Sequence, residues 1–179
     1  MYIRFKNLIS LTDIFLSEGS FDFKKSYNNS LYADLIKGKD TIRLYNVHLK
    51  SLGLAPSVNY LQLQDKEKLV KRTEARFGRQ QEQVMVLLSH MKDSKYPIIL
   101  AGDFNNTAFS YVYRKLQQNM KDAFVEKGSG LGTTFLFNLY PMRIDYIFGS
   151  QELEVLKFTS LEQTFSDHYP IAAVFEIPK

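Results

Sequence analysis

The chain has 179 residues, of which 45 % are hydrophobic and 14 % aromatic, so it is long and apolar enough to form one domain with its own core. It contains no cysteine, which excludes a disulfide framework, a thiol nucleophile and a thiolate metal site. Any metal must be bound by oxygen atoms or by the three histidines, which favours a hard ion. The net charge of +4 suits an anionic partner without requiring one, and no apolar run is long enough to span a membrane.

The first predicted elements are two strands of an antiparallel hairpin. The stretches "SLYADLI" and "TIRLYNVHL" alternate in side-chain character on either side of the turn "KGKD", which predicts paired strands over about residues 30–49. A helix is expected from Tyr60 to Met91, because this segment lacks proline and its apolar residues recur at helical spacing. The pattern predicts one long helix or two shorter ones, with Gly78 as the weak point.

The second half of the chain contains short strands and one more predicted helix. "IIL" at residues 98–100 predicts a buried strand, and "AFSYVYRKLQQNM" predicts a helix capped by Asn106 or Thr107. The glycines of "KDAFVEKGSGLGTTF" indicate a flexible loop, and three further strands are expected at "MRIDYIFGS", "LEVLKFTS" and "IAAVFEIP". This order predicts an α/β (α+β) layered sandwich of mixed, mostly antiparallel sheet with flanking helices, and not a Rossmann alternation.

Four motifs place ionisable or amide side chains at strand ends or inside apolar strands. They are "NVHL" with His48, "GDFN" with Asp103 and Asn105, "RIDYIF" with Asp145, and "SDHYP" with Asp167 and His168. Each motif also has a structural explanation. His48 could be a half-exposed strand residue, and "GDFNN" could form a turn and a helix cap. Asp145 could form a salt bridge with Arg143, and the "SDH" turn could simply be solvated.

Together the motifs supply three carboxylates, two imidazoles and an amide, the set required for metal-assisted attack of water on a phosphate ester. One carboxylate can orient and deprotonate water, another can bind Mg²⁺, and the imidazoles and amide can stabilise charge on phosphoryl oxygens. Two other classes lack their motifs: the chain has no G-x-S-x-G nucleophile sequence, and "GSGLGTT" lacks the lysine of a P-loop.

The ordered set "NVHLKS", "PIILAGDFNNT", "RIDYIFGS" and "SDHYPIAAVF" closely resembles the C-terminal half of the endonuclease/exonuclease/phosphatase superfamily. This superfamily includes pancreatic deoxyribonuclease, apurinic-site endonucleases, sphingomyelinases and inositol polyphosphate phosphatases. The resemblance extends from about Leu31 to the end of the chain. It implies a phosphoester hydrolase that uses Mg²⁺, with Mn²⁺ as the alternative ion.

The resemblance also implies roles for the residues of the first two motifs. Asp103 would orient and activate the attacking water. Asn105 would donate a hydrogen bond to the phosphate as negative charge develops on it. His48 would be the histidine that contacts the phosphate or donates a proton in the deoxyribonuclease and sphingomyelinase branches.

The last two motifs would bind the metal and the phosphoryl oxygens. By resemblance, Asp167 would be a Mg²⁺ ligand, and its neighbour His168 would contact the phosphoryl oxygens. Asp145 would accept a hydrogen bond from the far ring nitrogen of His168. That bond would fix the tautomer of the ring and favour its protonated form.

The first half of the family pattern is largely missing from this sequence. The family places an Asn and a metal-binding Glu there, and neither occurs in a suitable place. Glu18 lies in a loop-like stretch, whereas Glu74 and Glu82 lie in the helical segment, where a solvated face is expected. We therefore expect residues 1–179 to form a single domain that is N-terminally truncated relative to the family, an incomplete C-terminal portion of its four-layer fold.

Two functions follow as hypotheses from this pattern. The first is a Mg²⁺-dependent phosphodiesterase, nuclease or phosphatase that needs upstream sequence for full activity. The alternative is a catalytically weak remnant that acts as a binding or assembly module. The substrate would be a nucleic acid, a phospholipid head group or an inositol phosphate, and the sheet face that the missing half would cover predicts self-association. Residues 1–16 lack the pattern of a secretory signal, but upstream sequence could carry one, so localisation stays open.

Overall fold

Strands outnumber helices in the described part of the chain, which the computed structural model gives as residues 2–3, 15–24, 26–54, 61–161 and 166–178. The strands are β1 (Tyr2–Ile3), β2 (Phe15–Asp22), β3 (Asn29–Lys37), β4 (Asp40–His48), β5 (Ile98–Asp103), β6 (Met120–Asp122), β7 (Phe135–Phe137), β8 (Tyr140–Met142), β9 (Asp145–Ser150), β10 (Glu154–Ser160) and β11 (Ile171–Glu176). The helices are α1 (Lys66–Lys92), α2 (Tyr111–Gln117) and α3 (Ala123–Lys127).

Most of the strands belong to two sheets that pack face to face. The larger sheet has the strand order β2-β3-β4-β5-β9-β6. In this sheet β4 and β5 run parallel, and the other neighbouring strands run antiparallel. The smaller sheet has the order β1-β11-β10, and β7 and β8 form a separate hairpin. The predicted sandwich of mixed, mostly antiparallel sheet with flanking helices is confirmed.

The two faces of the larger sheet are covered by different elements. On one face, Tyr45 and Leu100 pack with Leu87 of α1 in an apolar cluster. On the other face, Ile99 packs with Phe175 of the smaller sheet in a second cluster. Successive residues of a strand point to opposite faces, so adjacent residues of β5 supply both clusters. This strand is consequently buried on both sides.

The predicted hairpin and long helix are confirmed, with different helix limits. Strands β3 and β4 pair from Ser30 opposite Val47 to Lys37 opposite Asp40. Helix α1 begins at Lys66, where the Asp65 side chain caps it, and runs through Gly78 without a break to Lys92. The predicted start at Tyr60 lies outside the described residues. No helix in the described ranges is both long and apolar enough to cross a membrane.

The expected cap of the second helix is wrong. Helix α2 is capped by Ser110, whose hydroxyl accepts a hydrogen bond from the Tyr113 N–H. Asn106 instead accepts from the Thr107 N–H within the loop that precedes the helix. The loop predicted from the glycine-containing segment is also wrong in part, because its first residues form β6 and α3. Strands β1, β2, β7 and β8 were not predicted either, since they are short or weakly patterned.

A buried ion pair joins β3 to β4 on the face that α1 covers. Arg43 donates to both oxygens of Asp34, at 2.6 and 2.8 Å, and the Ser17 hydroxyl donates to the same carboxylate at 2.5 Å. The Arg43 guanidinium also lies 4.8 Å from the centre of the Tyr32 ring. The hydrogen bonds from Arg43 are the main reason why the pKa of Asp34 lies below its usual range.

The pair predicts a pH-dependent contribution to stability. A carboxylate whose pKa is lowered by folding stabilises the protein above its unfolded pKa, and this stabilisation is lost as the pH falls through the folded value. Asp34→Asn should lower the free energy of unfolding at neutral pH by about 3 kcal/mol, because it leaves Arg43 buried without its counter-ion. Urea unfolding should show this difference shrinking below about pH 4.

The control is Asp40→Asn, an exposed acid in the same hairpin, which should change the unfolding free energy little. A loss in Asp34→Asn that is the same at neutral and acid pH would contradict the assignment.

Candidate active site

The predicted site residues meet where β4, β5 and β9 lie side by side. In the register of the larger sheet, His48 lies opposite Asp103, and Asp103 lies opposite Asp145. Residues directly opposite one another on neighbouring strands point to the same face of a sheet. The three side chains therefore form one row, on the face that packs against the smaller sheet.

Gly102 allows β4 and β5 to approach closely beside this row. Its φ of +150° is a conformation that L side chains rarely adopt. A Cβ atom at this position would lie only 1.9 Å from the carbonyl oxygen of Val47 on β4. The backbone of β4 at Val47 therefore leaves room only for the glycine of the "GDFN" motif. Val47 directly precedes His48 in the chain.

The carboxylate of Asp103 is held by the residue two positions further along. The Asn105 backbone N–H donates to Oδ1 at 2.7 Å, and the Asn105 side-chain Nδ2 donates to Oδ2 at 3.0 Å. The same Nδ2 donates to the Leu49 carbonyl at 3.0 Å. Asn105 adopts a left-handed φ of +50°, which asparagine tolerates better than most residues. On the open side, His48 Nε2 lies 3.6 Å from Asp103 Oδ2.

Asp145 pairs with His168, as the resemblance implies. The distance from His168 Nδ1 to Asp145 Oδ2 is 2.8 Å, and both side chains are partly buried. The alternative partner of Asp145 is wrong, because Arg143 donates to Asp122 at 2.5 Å instead. Asp145 therefore orients the imidazole and leaves the other ring nitrogen of His168 as its second hydrogen-bonding atom.

Burial and neighbouring charges shift the pKa values of two groups in the row. Burial raises the pKa of the Asp103 carboxyl, and the nearby Asp145 charge raises it further, against the opposing effects of Asn105 and the two histidines. For His168, burial lowers the pKa, but the hydrogen bond and charge of Asp145, with the charge of Asp103, outweigh it, so the net shift is upward. Asp103 is thus a stronger base than an exposed aspartate, and His168 holds a proton more readily.

The row opens into a cavity of about 470 Å³. Its lining includes His48, Asp103, Asp145 and His168, together with Tyr169, which lies two residues before β11. Ligand atoms of Asp103, Asp145 and His168 all lie within 4.8 Å of one another, which makes them a candidate metal-binding group among the described residues. Two carboxylates and an imidazole suit a hard divalent ion.

Asp167 is the predicted site residue that lies apart from the others. It is exposed, and its carboxylate accepts a hydrogen bond from the Ser166 hydroxyl at 3.1 Å. It belongs neither to the metal-binding group found among the described residues nor to the residues that line the cavity. Its role as a Mg²⁺ ligand stays a prediction.

Gln80 of α1 supports the site and was missed in the sequence. The side chain is fully buried, and its Nε2 lies within hydrogen-bonding distance of the carbonyls of Lys50, Phe104 and Asn105, at 2.7, 3.2 and 3.3 Å. Its Oε1 accepts from Asn106 Nδ2 at 2.8 Å. Gln80 therefore joins the loop after His48 to the loop after Asp103.

A signal for Gln80 was available in the helical periodicity. Residues 80, 84, 87 and 91 follow one another at spacings of four, three and four, so Gln80 lies on the same stripe as the apolar residues that face the core. The polar composition of the segment led to the expectation of a solvated face. A glutamine on an apolar stripe needs internal partners, and here it finds backbone carbonyls.

The chain belongs to the endonuclease/exonuclease/phosphatase family. The profile of this family matches residues 45–168, well over half of the chain, and the matched segment contains every predicted site residue from His48 to His168. The superfamily resemblance stated from the motifs is confirmed, and the family is one of hydrolytic enzymes. A search of curated protein sequences found no match.

Solved structures of this family share the fold. The endonuclease/exonuclease/phosphatase protein of Bacteroides vulgatus aligns with a TM-score of 0.72 and 18 % identity, over 93 % of this chain and 68 % of its own. The mannosyl-6-phosphatase of Bacteroides thetaiotaomicron has a TM-score of 0.69 and 18 % identity, over 92 % and 68 %. The D. rerio TDP2 complexed with a single-strand DNA product has a TM-score of 0.65 and 17 % identity, over 91 % and 68 %. The chain spans about two thirds of their length.

The contacts of Gln80 predict a large loss of stability on its removal. Gln80→Met keeps a similar volume but leaves carbonyls of two site loops and the Asn106 amide without their buried partner. The free energy of unfolding should fall by about 2–3 kcal/mol. Urea unfolding measures this change, and Gln81→Met at the exposed neighbouring position is the matched control. Equal unfolding midpoints for the two variants would contradict the assignment.

Proposed function

We propose that the protein is a Mg²⁺-dependent phosphoester hydrolase, a phosphodiesterase, nuclease or phosphatase, in which water attacks phosphorus. The observation that carries the proposal is the meeting of Asp103, Asp145 and His168, with His48 at the rim, in one open cavity. A cavity with two carboxylates and two imidazoles can bind a cation and a phosphate together. Family membership supports hydrolysis of phosphate esters as the reaction class.

Asp103 would orient the attacking water and accept its proton. Its raised pKa supports this role, because a general base is most effective when its pKa approaches the working pH. The Asn105 N–H and amide hold the carboxylate in one orientation. His48, on the open side of Asp103, would contact the phosphate or donate a proton to the leaving group.

His168 and Asn105 would stabilise the negative charge that develops on the phosphoryl oxygens. The hydrogen bond from His168 Nδ1 to Asp145 keeps the ring oriented and favours its charged form. Asn105 has both Nδ2 hydrogens directed at protein acceptors, Asp103 and Leu49. Contact with phosphate would therefore require Asn105 to exchange one of these bonds.

The carboxylates of the site fit a Mg²⁺ ion, or Mn²⁺ in its place. Asp103 and Asp145 offer carboxylate oxygens within 4.8 Å of each other, and exposed Asp167 stands next to His168 in the chain. We propose Asp167 as a ligand on the resemblance alone. A bound ion would supply Lewis-acid polarisation of the phosphate and would counter the repulsion between the two partly buried carboxylates.

We further propose that residues 1–179 are an N-terminally truncated domain, and that full activity requires the Glu that the family pattern places upstream. In support, the chain spans about two thirds of the similar solved structures. The substrate class would be a phosphate ester of nucleic acid, of a phospholipid head group or of inositol. The similar structures include a sugar phosphatase and a protein complexed with DNA.

The proposal predicts loss of hydrolysis in Asp103→Asn. With Mg²⁺ or Mn²⁺ and a chromogenic phosphodiester, removal of the base should lower kcat by about 10²–10⁴-fold. A chelating agent should abolish the wild-type rate. Asp93→Asn, an exposed acid at the end of α1, is the matched control and should retain the rate.

The same assay on a version extended upstream separates the two hypotheses. Activity that appears only in the extended protein, and is lost in its Asp103→Asn variant, would support the need for the upstream Glu. Inactivity of both wild-type proteins toward DNA, RNA and phospholipid head groups would overturn the enzymatic proposal and favour the binding module.

We also propose that the chain self-associates through one face of the larger sheet. The part of the larger sheet formed by β2 to β4 has a shallow groove of about 510 Å³, lined in part by Leu31, Ala33 and Leu44. Leu31 is 48 % exposed there. Burying such an apolar surface against a second copy would be favourable.

Light scattering should therefore detect dimers or larger species that form as the concentration rises. Leu31→Glu should shift the species toward monomer, because it places a charge in the contact. Val125→Glu, at a position 57 % exposed on α3, is the matched control. A wild-type protein that stays monomeric at high concentration would exclude the proposal.

A further inference from the structure

Thr134 is completely buried and lies beside the site. It is placed between β9, which carries Asp145, and the segment that carries His168. Its hydroxyl oxygen accepts hydrogen bonds from the backbone N–H groups of Ile144 and Asp145, at 3.0 and 3.1 Å. Its carbonyl accepts from the Tyr169 N–H at 2.8 Å. One residue thus contacts both the start of β9 and the segment that contains His168.

The geometry of the sheet explains why the start of β9 needs this partner. The Phe104 N–H donates to the Ile144 carbonyl, so the Asp103–Asp145 pair lies between ladder hydrogen bonds and the Asp145 N–H points away from β5. On that other side, β6 pairs with β9 only from Phe148 to Ser150. The Thr134 hydroxyl therefore accepts the hydrogen bond that the Asp145 N–H would otherwise donate to a neighbouring strand.

The next residue fixes the histidine side of the pair. Phe135 forms an antiparallel bridge with His168, and the centres of the two rings are 5.0 Å apart. Together with the bond from Tyr169 to the Thr134 carbonyl, this bridge holds the backbone on which His168 stands.

We propose that Thr134 is a positioning residue for the Asp145–His168 pair. Its hydroxyl sets the backbone of Asp145, its carbonyl sets the backbone that follows His168, and the 2.8 Å contact between carboxylate and imidazole depends on both. The catalytic consequence rests on the proposed function, whereas the geometric consequence does not. Nothing in the sequence pattern assigns this role, because "GSGLGTT" indicates only a loop.

The experiment compares the ring nitrogens of His168 in three variants by ¹⁵N NMR of the metal-free chain. Thr134→Val removes the hydroxyl at nearly constant volume, Thr134→Ser keeps the hydroxyl, and Thr133→Val makes the same change at the adjacent position. The Thr133 hydroxyl has no hydrogen bond to the described residues, which makes it the matched control. The chain has three histidines, so single substitutions assign every ring.

At a pH where the His168 ring is neutral, we expect wild type, Thr134→Ser and Thr133→Val to give distinct Nδ1 and Nε2 signals for His168, as a ring held in one tautomer by a carboxylate should. In Thr134→Val the Nδ1 and Nε2 shifts of His168 should move toward each other, as expected for a ring that exchanges between its two tautomers. The His90 ring, which contacts Tyr45 on the opposite face of the larger sheet, should be unchanged and shows that the fold persists. Unaltered His168 signals in a folded Thr134→Val protein would overturn the proposal.

Thr134→Ala is the second variant, in case valine itself disturbs the packing. If both variants lose the His90 signals of the native fold, Thr134 is a structural residue only, and the positioning role is overturned. In the hydrolysis assay, Thr134→Val should lower kcat by about 10–100-fold with little change in KM, and Thr134→Ser should restore it. A wild-type chain without hydrolysis would remove the proposed function, while the NMR comparison would still decide the positioning role.

Discussion

The hydrogen bonds of β5 to its two neighbours set the relative positions of His48, Asp103 and Asp145. β5 is parallel to β4 and antiparallel to β9, so one residue, Asp103, faces His48 on one side and Asp145 on the other. Ile99 and Leu100 are fully buried on opposite faces. A slip of the register by one residue would move the Ile99 and Leu100 side chains to the opposite faces of the sheet, each into the wrong apolar cluster. The packing of the core therefore fixes the geometry of the site.

The site also depends on how the protein compensates two carboxylates placed side by side. Asp103 and Asp145 repel each other, and both are partly removed from water. The compensation is local: Asn105 donates twice to one carboxylate, and His168 pairs with the other. The ion pair of Asp34 with Arg43 uses the same solution on the other face of the sheet.

The sequence predicts the fold class and the motifs well, because both depend on local patterns. The hairpin before His48, the long helix and the buried strand before Asp103 all follow from periodicity and turn residues. The supporting contacts are different, since Gln80 and Thr134 act through backbone atoms that are distant in sequence. A polar residue in a helix or a glycine-rich loop shows nothing of such partners before the chain is folded.

Gly102 limits how this protein can change. Because even a single methyl group at this position would meet the Val47 carbonyl, any substitution must push β4 away from β5. The residue after Val47 is His48, so the same displacement would widen the gap between the imidazole and Asp103. Both the stability of the protein and the spacing of His48 and Asp103 therefore depend on position 102. Compensating mutations elsewhere in the core could restore the stability without restoring that spacing.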